Sequence, residues 1–484
     1  MSAASTSLSR GVITLPRIAT LSVLLLALLV FRDVWLPVQS PYRSHTQPSS
    51  TTLPHTESEV DIHRGDGKHV LNGTASESCM DIPGADNIMV LLKTGATELY
   101  QKLPTHIVTT LGTCVPHFMI FSDLAQNFAD IPIHDAIAPV SKSFREHHED
   151  FELYRKLQQY QSEGQDMHRL SGGGSWNLDK WKFLPMLHQA FESAGDNIEW
   201  FFLMEADTSV SWTNLLQWLR TMDPQNPFYL GAQNVIGDTV FAHGGSGVVI
   251  SRRAADMLTH KRTQMGKAAY DEEWEESTST SCCGDEIMAR AFAQVDVPLT
   301  PSWPLIQGET VSSIDWKEDH WCTVALTWHH VTPIEVDAMF QFEMAWVDEH
   351  GWDTPYLFRD VHNYFISRHI TVNRTSWNNL SKDHKFISPD LSTDDKATAK
   401  KEFAKFKMFE QKSVASQDAC AAACQRHKSC VQWMHTPGRC YLGNVMRFGK
   451  SDERDSEHWV SGWMNERIES FAEKLAGCRT RWHG

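Results

Sequence analysis

Basic residues are in the minority. The chain has 44 Lys and Arg against 60 Asp and Glu, a formal net charge of −16. A nucleic-acid binder needs a basic footprint, so this balance argues against that class. Cysteine is thin, with 10 in 484 residues. That is too sparse for a disulfide-built miniature scaffold, although an even number suits a luminal chain. No Gly-Lys-Ser/Thr follows the glycines at 244, 245 and 247. This excludes a phosphate loop, and their spacing and order do not fit a dinucleotide fingerprint. Internal repeats are absent. What is present is enough for a core: 41% hydrophobic and 10% aromatic residues exclude wholesale disorder. The length exceeds one ordinary domain and allows two or three.

No apolar run has full bilayer length. Residues 18–31 (IATLSVLLLALLVF) are uncharged and follow Arg10 and Arg17, with no acid in 1–17. As a helix this run spans only about 21 Å. No small-x-small cleavage site follows Phe31; Arg17 can snorkel and Trp35 can sit at the interface. These features predict a signal anchor over 18–36, with a cytoplasmic tail at 1–17 and everything later luminal. Residues 37–82 are rich in Ser, Thr, Pro, Gly, His and charge and read as a flexible stem. Sequons at Asn72, Asn373 and Asn379 agree with a luminal body.

From about residue 87 the pattern is α/β. Apolar runs at 88–92, 118–121 and 198–204 alternate with helical stretches and end in polar residues. Continuous apolar strands predict a parallel sheet covered on both faces, with ligands at the carboxyl ends of its strands. The crevice so predicted is rimmed by Lys93, Thr94, Ser122, Asp123 and Asp207. A carboxylate closing a buried strand, as Asp207 does, is costly unless it binds a cation or accepts hydrogen bonds. It reads as a metal ligand or as the cap of a helix at 213–222. Asp285 and Glu286 open a predicted helix at 287–293, where an acid is either a general base or a dipole-favoured first-turn residue. His329 and His330 lie in a strand-like setting and read as ligands or as structural histidines. Gly244, Gly245 and Gly247 permit close backbone approach to a ligand. The acidic run 271–276 reads as a solvated loop.

Seven motifs then fall in one order over about 260 residues: KTGAT (93–97) with KLPTH (102–106), FSD (121–123), WNLDKWKFLPML (176–187), WFFLMEADTSV (200–210), GGSGVVIS (244–251), CCGDE (282–286) and LTWHHV (326–331). Together they resemble family 31 of the glycosyltransferases. That group holds the β-1,3-galactosyltransferases, the Fringe proteins and the core 1 O-glycan synthase, and the match is closest to its fungal members. The resemblance, over about 85–350, implies a GT-A type, Rossmann-like mixed sheet with helices on both faces; the Lys- and Asp-rich connection 381–407, followed by a jump in cysteine density, sets the boundary of that domain (83–405) near 405. It implies a UDP-sugar donor, a glycan or glycoprotein acceptor and Mn²⁺. The implied metal ligands are Asp207 and His329, and the implied base is Asp285. The implied nucleotide-sugar contacts are Lys93, Thr94, Gly95, Ser122, Asp123, Lys182, Glu205, Gly244 and Gly245. Transfer of a hexose or N-acetylhexosamine would invert the anomeric centre and give a β-1,3 linkage, in a Golgi or other secretory-pathway membrane. The chain departs from the family at Glu205 and Ala206, where Asp is usual, and at Gly284, where Glu is usual. A catalytically weak homologue acting as a glycan-binding or chaperone-like protein is the alternative. A luminal glycosidase with paired carboxylates is a third reading, against which the aspartate motif argues.

Residues 406–484 resemble a PAN/apple module, from Cys420-x3-Cys424-x5-Cys430 through Gly438-Arg439-Cys440 to Ser461-Gly462-Trp463. Such modules bind protein or carbohydrate. The resemblance implies Cys424–Cys430 and Cys420–Cys440 bridges. The ten cysteines then divide five and five between the two regions, which predicts one inter-domain bridge from Cys478 to Cys282 or Cys283.

Overall fold

The computed structural model describes residues 79–482 apart from 173 and 453–457. The expected cytoplasmic tail, anchor and nearly all of the stem lie outside the described residues, as does Asn72. No described helix is long and apolar enough to cross a membrane.

In chain order the first strands are β1 (Ile88–Lys93), β2 (His117–Ser122), β3 (Gln126–Phe128), β4 (Ile131–Asp135), β5 (Trp200–Glu205) and β6 (Thr208–Val210). There follow β7 (Tyr229–Gly231), β8 (Gln233–Ile236), β9 (Thr239–Ala242), β10 (Val248–Ser251), β11 (Thr300–Pro301) and β12 (Thr327–His329). Eight of them form one sheet in the order β11-β7-β10-β5-β1-β2-β4-β3. β1 pairs in parallel with β5 and β2, and β2 with β4. β10 runs antiparallel between β5 and β7. The sheet is mixed, not purely parallel as the apolar runs alone suggest.

Alternate side chains of these strands enter two apolar clusters on opposite faces. Leu91, Phe201, Leu203 and Ile250 meet the helices Phe183–Ser193, Arg252–Met265 and Gly284–Ala293. Val90, Leu92, Phe202 and Val249 meet Leu99–Val108 and Trp212–Leu219. Each such fully buried side chain contributes about 1.5–3 kcal/mol. This double cover makes β1 and β5 rigid supports for whatever their carboxyl ends carry.

The run 271–276 is not a loop. It lies within the helix Lys267–Thr280, whose Tyr270, Trp274 and Thr278 are buried at four-residue spacing. The acids occupy the other faces, and Asp271 pairs with Arg262.

The C-terminal strands are β13 (Arg374–Thr375), β14 (Trp377–Asn378), β15 (His384–Ile387), β16 (Gln432–Thr436), β17 (Arg439–Gly443), β18 (Lys450–Ser451) and β19 (Val460–Trp463). They include a five-stranded antiparallel sheet, β13-β19-β16-β17-β15. The helix Gln417–Arg426 packs Cys420 and Cys424 against Phe386, Trp433 and Leu442. The expected boundary at 405 falls between β15 and β16 of this sheet. All described residues belong to one compact unit, Gly65–Gly484.

The cysteines form Cys79–Cys114, Cys282–Cys283, Cys322–Cys478, Cys420–Cys440 and Cys424–Cys430. Both bridges expected within the C-terminal region are present. The inter-region bridge also exists and uses Cys478, but its mate is Cys322; Cys282 and Cys283 bond to each other. Cys79–Cys114 ties residues assigned to the stem onto the body, where Ile82 is buried. Asn379 is fully buried and donates to the Trp433 and Gly462 carbonyls, so that sequon is inaccessible in the folded chain, whereas Asn373 is exposed.

Candidate functional site

The carboxyl ends of β1, β2 and β5 carry charge into an apolar body. Lys93 closes β1, is 3% exposed, and reaches Asp179 and, at 3.1 Å, Glu205 at the end of β5. Its ammonium also lies 4.6 Å from the Phe183 ring centre. Burial opposes the Lys93 charge, but Asp179 and Glu205 outweigh it and hold the ammonium above its ordinary pKa. Lys182, equally buried, contacts Asp179 at 3.2 Å and Asp123 at 3.4 Å and donates to the Thr94 carbonyl at 2.9 Å. Asp123 accepts from the Ala96 amide at 2.6 Å and from Ser122 Oγ. Lys93, Thr94, Ser122, Asp123, Lys182 and Glu205 thus form one network, and Gly95 adjoins it, with its missing Cβ 3.6 Å from Asp123. Two buried cations facing three carboxylates is a paired arrangement; deleting one member would cost about 3–5 kcal/mol. Asp179, the hub, was not singled out from sequence. The signal lay in WNLDKWKFLPML, which sets it three residues before Lys182.

A second constellation lies beside the first. β6 and β12 form an antiparallel ribbon in which His329 stands opposite Thr208. Asp207, immediately before β6, is thereby brought to His329, with Oδ1 3.5 Å from Nε2. The next helix is capped by Ser211, not by Asp207, so the capping explanation for this carboxylate does not apply. Lys102 Nζ lies 3.2 Å from Asp207 Oδ2. Although burial opposes it, the hydrogen bond to His329 and the Lys102 charge hold Asp207 below the usual carboxylate range. His330 has φ 59°, a left-handed conformation uncommon outside glycine, and its ring stacks on His329 at 3.8 Å. Candidate ligand atoms of Asp207, His329 and His330 lie within 4.8 Å of one another. His329 is 4% exposed and its Nδ1 has no protein partner. A carboxylate and two imidazoles suit a divalent first-row ion, so these residues fit the expected metal. Either histidine is within reach, which widens the sequence assignment of His329 alone.

The glycine turn joins the two constellations. A Cβ on Gly245 would lie 2.2 Å from His329 Nε2, so only glycine lets the imidazole rest on this backbone. Thr208 Oγ1 donates to the Gly245 carbonyl at 2.7 Å and locks the turn to β6. The Gly244 amide donates to Asp285 Oδ2 at 3.1 Å, and Asp285 Oδ1 accepts from the Glu286 amide. Burial pushes the Asp285 carboxyl above its ordinary pKa against the pull of these two amides and Lys93. Asp285 is also a first-turn residue of the helix Gly284–Ala293, so dipole placement and a basic role coincide.

Two departures from the family pattern have steric readings. A Cβ on Gly284 would meet Phe183 at 2.3 Å and the Lys180 carbonyl at 2.5 Å, leaving no room for glutamate. Ala206 is 4% exposed within the apolar cluster that holds Val210 and Trp212. Its side chain belongs to that cluster, and its carbonyl meets the buried His106 ring at 2.9 Å. His243, also not singled out, sits 5.3 Å from the His329 ring; burial lowers its pKa to about 4.

A mixed sheet with carboxylates, buried cations and a histidine ribbon gathered at the ends of its parallel strands is the layout of a GT-A-like fold. Consistent with that class, a family model described as Fringe-like matches residues 182–344, about a third of the chain. The match supports a glycosyltransferase of that type, with a sugar donor and a glycan acceptor. It spans Lys182, Glu205, Asp207, the glycine turn, Asp285 and both histidines.

Proposed function

We propose that this chain is a Mn²⁺-dependent, inverting glycosyltransferase that moves a hexose or N-acetylhexosamine from a UDP-sugar to a glycan or glycoprotein hydroxyl, in β-1,3 linkage. It acts as a type II protein of the Golgi or another secretory-pathway membrane, with a PAN/apple-like module at its C-terminus. The observation that carries the reading is the convergence of Asp207, His329 and His330 beside a glycine turn that also holds Asp285.

Asp207 and His329, with His330 in reach, would hold the ion. A divalent cation there supplies charge neutralisation for the departing diphosphate. Lys93 and Lys182 hold Asp179, Asp123 and Glu205 in place as donor-binding groups, so the polar wall is organised before the donor arrives. Asp285 takes the proton of the acceptor hydroxyl as that oxygen bonds to the anomeric carbon. The bond from that carbon to the diphosphate oxygen breaks on the opposite face, and UDP leaves with the electron pair. A single carboxylate acting on an in-line displacement gives inversion. The Asp285 carboxylate, made more basic by burial, is suited to that proton transfer.

The test is a UDP-sugar panel on the full chain, with and without Mn²⁺, reading UDP release and product anomer. We expect metal-dependent release with one donor and its loss in Asp207→Ala. Undiminished release in that variant would remove the metal assignment, and an α-linked product would remove Asp285 as an inverting base. No turnover with any donor would favour the glycan-binding, chaperone-like reading.

A further inference from the structure

A cleft of about 700 Å³ runs between the body and the C-terminal sheet, and its lining reaches the site just described at His243, whose ring lies 5.3 Å from that of His329. His243 and Ser246, joined at 2.8 Å, belong to this lining. His243 directly precedes Gly244, whose amide holds Asp285, so this part of the lining adjoins the base. One wall comes from the body and includes Trp303, Gln307 and Asp315. The facing wall comes from the C-terminal sheet and its approaches, with Asn378, Lys382, Lys385 and Tyr441.

The two walls are fixed to each other. Buried Arg447 pairs with Asp315 across the base of the cleft, and Lys317 meets the same carboxylate at 3.1 Å. The Trp316 amide donates to the Met446 carbonyl at 3.0 Å, and Gly449 to Ser312 at 2.7 Å. The cleft is therefore a built feature of one unit, not a gap between loosely tethered parts.

Its lining has a definite chemistry. Exposed Gln233 and Asn234 and half-buried Asn378 supply amides, whereas Gln307, Ser246 and Ser381 are buried, hydrogen-bond within the protein and only back the wall. Trp303 is 43% exposed and stands edge-on to His320 at 5.1 Å, presenting an indole to the opening. In the same lining, on the C-terminal side, Lys385 Nζ lies 5.4 Å from the Tyr441 ring centre, and Lys382 and Lys385 are both exposed. Amide and ammonium groups with an aromatic face are what a polyhydroxylated ring requires: donors and acceptors for its hydroxyls, and an apolar plate for its C–H face. A volume in the upper half of the range for ligand pockets exceeds the needs of one sugar ring.

We infer that the C-terminal sheet forms the outer half of the acceptor site, and that the acceptor is an oligosaccharide of about three or more rings. It would lie along the cleft from Trp303 and Lys385 inward to Asp285. The inference rests on the glycosyltransferase reading for the direction of the acceptor. It adds that the C-terminal region is a wall of the same cleft and not a separately acting binding module.

The test uses the full chain and saturation-transfer NMR with four neutral probes: tri-N-acetylchitotriose, mannotriose, laminaritriose and galactotriose, each beside its monosaccharide. At least one trisaccharide should bind at least tenfold more tightly than its monosaccharide. Trp303→Ala and, separately, Lys385→Glu should each weaken that binding tenfold or more while keeping the wild-type melting temperature; both side chains are exposed. Binding of no trisaccharide, binding no tighter than the monosaccharide, or binding unaffected by Lys385→Glu would overturn the inference. UDP release into water by the wild-type chain, measured without any acceptor, reports separately on the glycosyltransferase reading. Loss of one result with retention of the other shows which of the two has failed.

Discussion

Asp285 has a carboxyl pushed above its ordinary pKa by burial, against two amide hydrogen bonds and Lys93. A general base must be ionised to work, so protonation as pH falls through that raised value removes activity. The acid limb of the kcat/KM profile should therefore lie above the ordinary aspartate value of about 3.9. Asp285→Asn should abolish the limb and lower the rate about 10²–10⁴-fold. A limb at the ordinary value, or a variant with near-native rate, would remove Asp285 from this role. At this scale much of the site was legible. Asp207 and the glycine turn stand out because a carboxylate at the end of a buried strand or adjacent glycines are costly without a purpose, while Asp285, an ordinary first-turn acid by position, is picked out by the resemblance of CCGDE. Asp179 and His243 were not legible, because each lies in a helical or loop stretch that gives no sign of what it will face. The reason for Gly284 was equally hidden, since it depends on Phe183, about a hundred residues earlier in the chain.

Elements are positioned by a few buried polar anchors. The helix Trp212–Leu219 begins where Glu343, 2% exposed on the helix Pro333–His350, accepts from the Thr213 amide and hydroxyl at 2.7 Å and from the Trp212 amide at 3.3 Å. These donors are otherwise orphans of a helix start. Glu343→Ala would leave them buried without partners, at a cost of about 2–4 kcal/mol. Glu343→Gln, which keeps an acceptor oxygen, should recover part of that loss. Denaturant midpoints of the two variants check the order, and equal midpoints would show that acceptance by Glu343 is not what holds this helix. The apolar runs that became β1, β2 and β5 were readable because strands buried on both faces need no polar alternation. The direction of β10 was not, since a fully buried Val248–Ser251 reads the same parallel or antiparallel. The helix Lys267–Thr280 was obscured by its acids. Its buried stripe has only three members, Tyr270, Trp274 and Thr278, and the charges between them dominate the local pattern.

At the scale of the whole molecule, all ten cysteines are paired, and one bridge joins distant parts of the chain. Cys322 precedes the ribbon strand that carries His329, while Cys478 follows the last helix, Asn465–Lys474. Parity of the cysteines called for a link from Cys478 to the body, but parity holds no spatial information, and the vicinal pair at 282 and 283 is already satisfied. Closing a loop with a sequence separation of 156 restricts the unfolded chain strongly. Its removal in Cys322→Ala/Cys478→Ala should cost about 2–5 kcal/mol of stability, read as a lower denaturant midpoint. The pairing itself has a sharper check. The denatured, unreduced wild-type chain should show no free thiol. Cys322→Ala should expose one, and alkylation followed by peptide mapping should place the label on Cys478. A label on Cys282 or Cys283 instead would mean that Cys322 is bonded into that segment, and the anchor tying the chain's end to the body beside the His329 ribbon would have to be sought elsewhere.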